Sequence, residues 1–227
     1  MRINSIFPAI QGEGSRVGTP EVFVRLQGCS LPGGKNCKDC DTPEAISRTG
    51  GRQATPRDVV EEVNGYNLNH VTVTGGEPLI QRKELLTLIG MLHNNHSVTL
   101  ETSGQFLDYE IFALCDFTSF DVKTPSSGIK LDWELLDELL TIEEPTQFKM
   151  VVKDWVDYEF VRKIYSRYQS LWEDRQNLVI TPVWCVGKDL DAKFVQELCK
   201  KVTEDRLCLR LIIQQHKILY GSEMRDV

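Results

Sequence analysis

The sequence predicts an α/β fold built on a mainly parallel sheet with helical crossovers, either open or rolled into an incomplete barrel. Three observations carry this. Short β-like apolar runs alternate with helix-like segments, at roughly 25–40 residues per unit. The chain of 227 residues is 41 % hydrophobic and 26 % charged, an ordinary globular mix. No Pro-, Ser- or Gly-rich linker and no low-complexity tract divides it, so a single domain over residues 1–227 is expected.

The elements follow in order. Val22 to Leu26 reads as a strand. A polar, Gly-rich stretch then runs from about residue 28 to 54. Thr55-Pro56-Arg57-Asp58 is a helix start, with Pro just inside the cap and an acidic residue in the first turn. Val71 to Val73, Val98 to Leu100, Phe117 to Val122, Phe148 to Val152, Leu178 to Thr181 and Leu207 to Ile213 complete the strands. Leu85 to Leu92, Trp133 to Leu140, Tyr158 to Tyr168 and Ala192 to Val202 read as helices. Ligands of such folds sit at the carboxyl ends of the strands, so functional residues are expected there.

Net charge is −7 at pH 7. A general nucleic-acid binder needs a basic face to displace counterions, so that class is not favoured. No run of about 18 apolar residues exists to span a membrane. The first ten residues are broken by Asn4, Ser5 and Pro8 and do not read as a signal peptide, so a cytoplasmic protein is expected. Seven cysteines without export signals argue against a disulfide framework. Cys115, Cys185, Cys199 and Cys208 stand singly and are expected to be buried small hydrophobes.

The other three cysteines cluster. Cys29, Cys37 and Cys40 lie on one loop after the first strand, with Pro32, Gly33 and Gly34 letting the backbone fold back. Three thiolates suit a soft metal or an iron–sulfur cluster, and with no fourth ligand nearby they leave one position open for chemistry. A zinc knuckle with a distant fourth ligand, or a redox Cys-x-x-Cys pair, fits the same spacing. Thr74-Gly75-Gly76-Glu77-Pro78 directly follows a strand. Its glycines allow a ligand to approach the backbone, and Glu77 offers an acceptor for an amino group, although Gly-Gly with Pro also makes plain βα turns. His93 and His96 are too weak a pair to indicate a second metal site.

Three loop cysteines ending in Cys-x-x-Cys, followed a strand later by Gly-Gly-Glu-Pro, resemble the radical S-adenosylmethionine superfamily. Further motifs narrow the resemblance: Gln11-Gly12-Glu13-Gly14, Phe23-Val24-Arg25 leading into Cys29, Cys40-Asp41-Thr42, Leu100 to Gly104, Lys123 with Pro125-Ser126-Ser127, and Gln215-His216-Lys217. Together they span residues 11 to 217, and the chain resembles the 7-carboxy-7-deazaguanine synthase family, whose fold is a trimmed (β/α) barrel. Two departures stand out. Seven residues separate Cys29 from Cys37, where the family's commonest spacing has three. Asp121-Val122-Lys123 replaces a frequent Ser-Pro-Lys, which leaves the role of Asp121 open.

The resemblance implies that Cys29, Cys37 and Cys40 each ligate one iron of a [4Fe-4S] cluster, with S-adenosylmethionine on the fourth iron. It puts Asp39, Cys40, Asp41, Gly75, Gly76 and Glu77 beside that cofactor, and Glu101, Ser103 and Lys123 at its ribose or carboxylate. Strand-end caps for Glu101 and Ser103, and a solvated lysine at 123, are the plainer alternatives. The implied substrate is 6-carboxy-5,6,7,8-tetrahydropterin, met by Ile10, Gln11, Gly12, Glu13, Arg25 and Thr74. The planar donor fork of Arg25 suits the substrate carboxylate. Phe23 and Arg25 share one strand face by period two, so burial of Arg25 is expected over an exposed outer position. Thr42 is implied as a Mg²⁺ ligand, though Thr42-Pro43-Glu44 can also start a helix. His216 is placed near the pocket mouth or in a structural role. The implied reaction is ring contraction with loss of ammonia, with a flavodoxin- or ferredoxin-like electron donor and a homodimer. A glycyl-radical activase and a non-catalytic zinc-binding module are the competing classes.

Overall fold

Each strand of the sheet carries two different faces, and this sets the architecture. The computed structural model describes all residues except 186, 225 and 227. Seven strands run parallel: β2 (Pro20–Leu26), β4 (His70–Gly75), β5 (Ser97–Thr102), β6 (Phe117–Asp121), β7 (Thr146–Val152), β8 (Leu178–Pro182) and β9 (Arg210–Leu211). Two more, β1 (Arg2–Ile10) and β3 (Arg52–Gln53), add antiparallel at the β2 edge, giving the order β3-β1-β2-β4-β5-β6-β7-β8-β9. The sheet is mostly parallel and not closed, as an incomplete barrel requires.

On one face, Val22, Val24, Val71, Val73, Leu100, Phe120, Phe148, Met150 and Ile180 form the core. Against it pack α1 (Pro56–Asn64), α2 (Arg82–Leu92), the short α3 (Tyr109–Phe112), α4 (Trp133–Leu139), α5 (Trp155–Arg167), α6 (Gln169–Arg175) and α7 (Ala192–Glu204). Phe120 stacks on Phe148 with ring centroids 5.3 Å apart, and Phe148 meets Trp172 edge-on at 5.6 Å. The alternate positions point into the barrel and are polar: Glu21, Thr72, Thr99, Ser119, Gln147 and Thr181 are all buried. The helices begin where their caps dictate. Thr55 and Asp58 form a reciprocal capping box on α1, and Asp154 and Asp191 accept backbone N–H bonds at the starts of α5 and α7.

Several expectations are corrected. The interrupted N-terminal segment is a nine-residue strand, β1. Pro8 is tolerated there because β3 covers only Arg2 and Ile3, leaving the rest of that edge without a ladder partner. The last strand shrinks from 207–213 to Arg210–Leu211, because Leu209 N–H turns back onto Leu207 O before pairing with β8 begins. Cys199 is exposed rather than buried, and Cys185 and Cys208 are half-buried; only Cys115 of the four single cysteines is in the core. The inward face of α7 is centred on Phe194, Val195, Leu198 and Val202, which leaves position 199 at its solvent-facing edge.

Residues Gly14–Arg16 form a single 3-10 turn that plugs the barrel at the amino-terminal end of the strands, where Arg16 meets His70 at the start of β4. Ser15 donates its N–H and hydroxyl to Gln147 Oε1, and Gln147 Nε2 reaches Ser119. Just beside this plug, Glu21 is fully buried. Its Oε2 accepts from Thr72 Oγ1 at 2.9 Å, whereas its Oε1 has no hydrogen-bond partner. Burial pushes this carboxyl up to about 7, and Thr72, Arg16 and Gln11 recover only part of that shift. The native state therefore keeps a proton that the unfolded chain has lost above about 4.3, so stability falls as pH rises from there through about 7. Glu21→Gln removes this titration. Denaturant unfolding at pH 5 and pH 8 is expected to show a smaller difference for Glu21→Gln than for the natural chain, with the gain at pH 8.

Candidate active site

At the carboxyl ends of the parallel strands lies a cavity of about 230 Å³. Its wall gathers residues far apart in sequence: Gln11, Gly12 and Glu13 from the plug, Arg25 from β2, the three loop cysteines, Thr74 to Gly76, Glu101 and Ser103, Lys123, and Lys149. A second cavity of about 160 Å³ shares Glu13, Cys37, Cys40, Asp41, Asp121, Lys123, Lys149 and Lys217 with the first. Of the residues expected at the site, Ile10, Asp41 and Thr42 also line the larger cavity, and Asp39 lines only the second. Asp39 is exposed and pairs with Lys153 at 2.5 Å.

The cysteine loop is pinned at both ends. Gly28 N–H donates to Ala45 O and Cys29 N–H to Ile46 O, while the Gln27 amide holds Glu44 O and Ser47 O. The longer Cys29–Cys37 gap is absorbed by a tight turn. Leu31 N–H bonds Lys35 O, Gly34 N–H bonds Leu31 O, and Pro32 to Lys35 project outward above the buried Leu31. Cys29, Cys37 and Cys40 are each half-buried on the cavity wall. Burial raises all three thiols, Cys29 to about 11; Cys37 and Cys40 add to the rise at Cys29, and Cys37 to that at Cys40. Among the described residues no three His, Cys, Asp or Glu side chains are already drawn into a cage for a single metal ion. Three soft donors on one wall, with no fourth protein ligand, are a donor set that suits a larger iron–sulfur cluster with an open position.

The Gly-Gly-Glu-Pro turn packs closely on the backbone beside it. A Cβ on Gly75 would stand 2.3 Å from Leu26 O, and one on Gly76 would stand 2.3 Å from Gly28 O. The glycines thus admit the chain's own backbone. The Glu77 carboxylate is fully buried and lines neither cavity. It accepts from Leu79 N–H, Thr102 Oγ1 and Ser103 N–H at 2.8–3.0 Å. Glu77 is therefore a clamp that ties the β4 turn to the end of β5.

Arg25 points into the cavity, its guanidinium 5.5 Å from the Phe7 ring centroid, and Phe7 stacks on Phe23 at 5.3 Å. Its Nε is buried without a hydrogen-bond partner, and the nearest carboxylate, Asp226, is 3.7 Å away. An anionic group in the cavity would complete this fork. Lys123 also lies on the wall and bonds Asp121 at 2.9 Å, which gives Asp121 a place in both cavities. Thr42 precedes a 3-10 turn at Pro43–Ala45 but makes no cap bond with its side chain, which donates to Asp41 Oδ1 instead. His216 closes over the plug: a Cβ on Gly12 would come within 2.1 Å of its Nδ1. Burial lowers the His216 pKa, against the pull of Glu13.

The electrostatic centre was not anticipated from the sequence. Lys149 bonds Glu13 Oε2 at 2.6 Å, and Gln214 Nε2 bonds the other oxygen. Burial alone would raise Glu13, but the Lys149 ammonium outweighs it and holds the carboxyl well below the usual range. Glu101 accepts instead from Gln11 Nε2 and Thr74 Oγ1, and burial drives it upward. The available signal for Lys149 was period two: a lysine interrupts the apolar run Phe148 to Val152 on the inward face.

Comparisons with known proteins bear on this geometry. A family model described as a 4Fe-4S single cluster domain matches residues 10–117. A 7-carboxy-7-deazaguanine synthase of Koribacter versatilis is 31 % identical over 100 % of both chains. This chain belongs to the 7-carboxy-7-deazaguanine synthase family. The relative of that name from Aquifex aeolicus is 39 % identical, over 95 % of this chain and 91 % of its own, and that from Hyperthermus butylicus 43 %, over 89 % and 84 %. The crystal structure of QueE from Escherichia coli matches with TM-score 0.67 at 24 % identity, over 95 % of this chain and 94 % of its own, which supports the same fold.

The clamp role of Glu77 is testable. Glu77→Ala leaves two buried N–H groups and a hydroxyl without their acceptor, at a cost of about 1–3 kcal/mol each in isolation. A clear fall in Tm is expected in thermal unfolding, with Glu77→Gln falling less. An unchanged Tm in Glu77→Ala would contradict the clamp.

Proposed function

We propose that this chain, as a single radical S-adenosylmethionine core spanning residues 1–227, converts 6-carboxy-5,6,7,8-tetrahydropterin to 7-carboxy-7-deazaguanine with loss of ammonia. The observation that carries this is the meeting of two sets in one cavity of a member of this family. Three thiols occupy one wall, and Arg25, Glu13 and Glu101 face the same space. When bound, a [4Fe-4S] cluster with S-adenosylmethionine supplies hydrogen abstraction by a cofactor-derived radical.

The chain's own residues bind and orient. Cys29, Cys37 and Cys40 would hold the cluster. The second cavity, with Asp39, Asp41, Asp121 and Lys123, offers polar partners to the cofactor's hydroxyl and charged groups. Gly75 and Gly76 bring backbone to the wall, and Ser103 Oγ is buried without a partner beside them. The Arg25 fork suits the pterin carboxylate, while Glu13 and Glu101 suit the ring's amine and amide edge. Ile10, the Gln11–Gly12 backbone and Thr74 line the rest. Phe7 and Phe23 give the cavity a flat apolar side, which favours a planar ring and excludes water. For Mg²⁺, the Thr42 hydroxyl stands next to Asp41 on the wall, an oxygen set of the kind a hard cation takes together with a substrate carboxylate. A flavodoxin- or ferredoxin-like electron donor, a homodimer and a cytoplasmic setting belong to the same proposal. No helix among the described residues is long and apolar enough to cross a membrane.

The deciding experiment is anaerobic turnover with reconstituted cluster, reductant, S-adenosylmethionine and Mg²⁺, followed by chromatography. Product is expected from the natural chain and none from Cys40→Ala. Arg25→Lys keeps the charge but loses the planar fork, so KM for the pterin is expected to rise about tenfold or more. Absence of product from protein with an intact cluster would overturn the reaction assignment.

A further inference from the structure

Two of the carboxyl side chains on the cavity wall, Glu13 and Glu101, reach the same space by different routes. Glu13 arrives on the plug and Glu101 at the end of β5. Two neighbouring carboxylates in a poorly solvated site repel one another, and each would otherwise tend to keep a proton. Their hydrogen-bond partners differ in kind. Glu101 is held by two neutral donors, Gln11 Nε2 at 3.2 Å and Thr74 Oγ1 at 3.0 Å. Glu13 is held by a cation, Lys149 Nζ at 2.6 Å, and by Gln214 Nε2.

Lys149 is also in a singular place. It stands on the inward face of β7, one residue from the core members Phe148 and Met150, and forms part of the wall shared by both cavities. Its side chain is only 13 % exposed, and that of Glu13 17 %, so water screens the pair weakly. The cation is itself kept charged against the pull of burial by Glu13, Asp121 and Glu101. With both oxygens of Glu13 engaged from the β7 and Gln214 side, its remaining lone pairs have one fixed direction.

We propose that Lys149 is a positioning residue of the substrate site: bonded to Glu13 Oε2 at 2.6 Å, it aims the free lone pairs of that carboxylate at the N–H edge of the pterin, beside Glu101 held in place by Gln11 and Thr74. This rests on the reaction proposed above and adds a residue to it. A locked carboxylate accepts from an amine and an adjacent ring N–H, as the pyrimidine half of a pterin presents them.

The test uses reconstituted holoenzyme carrying Lys149→Met, Lys149→Arg, Glu13→Gln, and Lys149→Met with Glu13→Gln. Steady-state turnover should show KM for the pterin raised tenfold or more in Lys149→Met, with kcat changed less than threefold. Lys149→Arg should recover most of the loss. The kcat/KM of Lys149→Met should gain a rise with pH between about 5 and 8, as Glu13 loses its cation and must ionise unaided. Lys149→Met should add little loss to a chain already carrying Glu13→Gln. Reductive cleavage of S-adenosylmethionine without pterin should fall less than pterin turnover does, which separates the substrate site from the cofactor site.

An unchanged KM, full additivity with Glu13→Gln, or an equal loss of cofactor cleavage would overturn the proposal. A second readout does not depend on the reaction. Carboxyl ¹³C NMR, assigned with Glu13→Gln, should find Glu13 ionised at pH 4 in the natural chain and titrating above pH 5 in Lys149→Met. No shift there overturns the role of Lys149, whereas the shift without any pterin turnover overturns the reaction and leaves the pairing intact.

Discussion

The site depends on one close backbone crossing. The turn after β4 passes over the end of β2 at a distance that no side chain allows: Gly76 N–H donates to Leu26 O and Glu77 N–H to Gly28 O. Gly28 is the residue before Cys29, so this contact seats the start of the cysteine loop against the Gly-Gly turn. Glu77 then carries the same contact onward to Ser103 at the end of β5. Three consecutive strand ends are locked into one rim by buried hydrogen bonds whose loss would each leave an orphaned polar group. The cavity wall inherits its shape from that rim.

Below the rim, the barrel interior is polar where most protein interiors are apolar. The helices cover the outer face of the sheet and supply the hydrophobic core, so the inner face is free to carry Thr, Ser, Gln, Glu and Lys. A parallel sheet of this kind normally reads as continuous apolar runs because both faces are buried. Here both faces are buried, but one is buried against polar side chains and ligand space. Every inward charge must then find a partner, and the pairs Lys149–Glu13 and Lys123–Asp121 do so within 3 Å. Glu21, with no cation bonded to it, meets the same burial by holding a proton. Charge in this interior is arranged locally, residue by residue, while the net charge of the chain says nothing about it.

Much of this was legible in the chain. Strand and helix alternation gave the α/β class and the succession of strands along the chain, because the apolar runs of β4 to β8 are short and bounded by polar turns. The cysteine spacing and the Gly-Gly-Glu-Pro turn marked the site, because soft ligands and adjacent glycines are rare enough to stand out. β1 was not legible, since Pro8 and two polar residues hide a strand whose edge position makes them harmless. The exposure of Cys199 was hidden too, since helical phase relative to the core decides it.

By itself, then, the sequence determined the parallel architecture, the metal-suited loop and the resemblance to a family, because these rest on local pattern and residue chemistry. Only the tertiary structure decided which side chains meet. It put Glu77 behind the wall as a clamp, although its motif suggests a ligand contact. It brought Lys149 to Glu13 across 136 positions of sequence. It turned the long Cys29–Cys37 spacing outward on a pinned turn. The reason is physical: contacts across a barrel depend on strand register and on which face each residue takes, and a shift of one residue would exchange every inward group for an outward one.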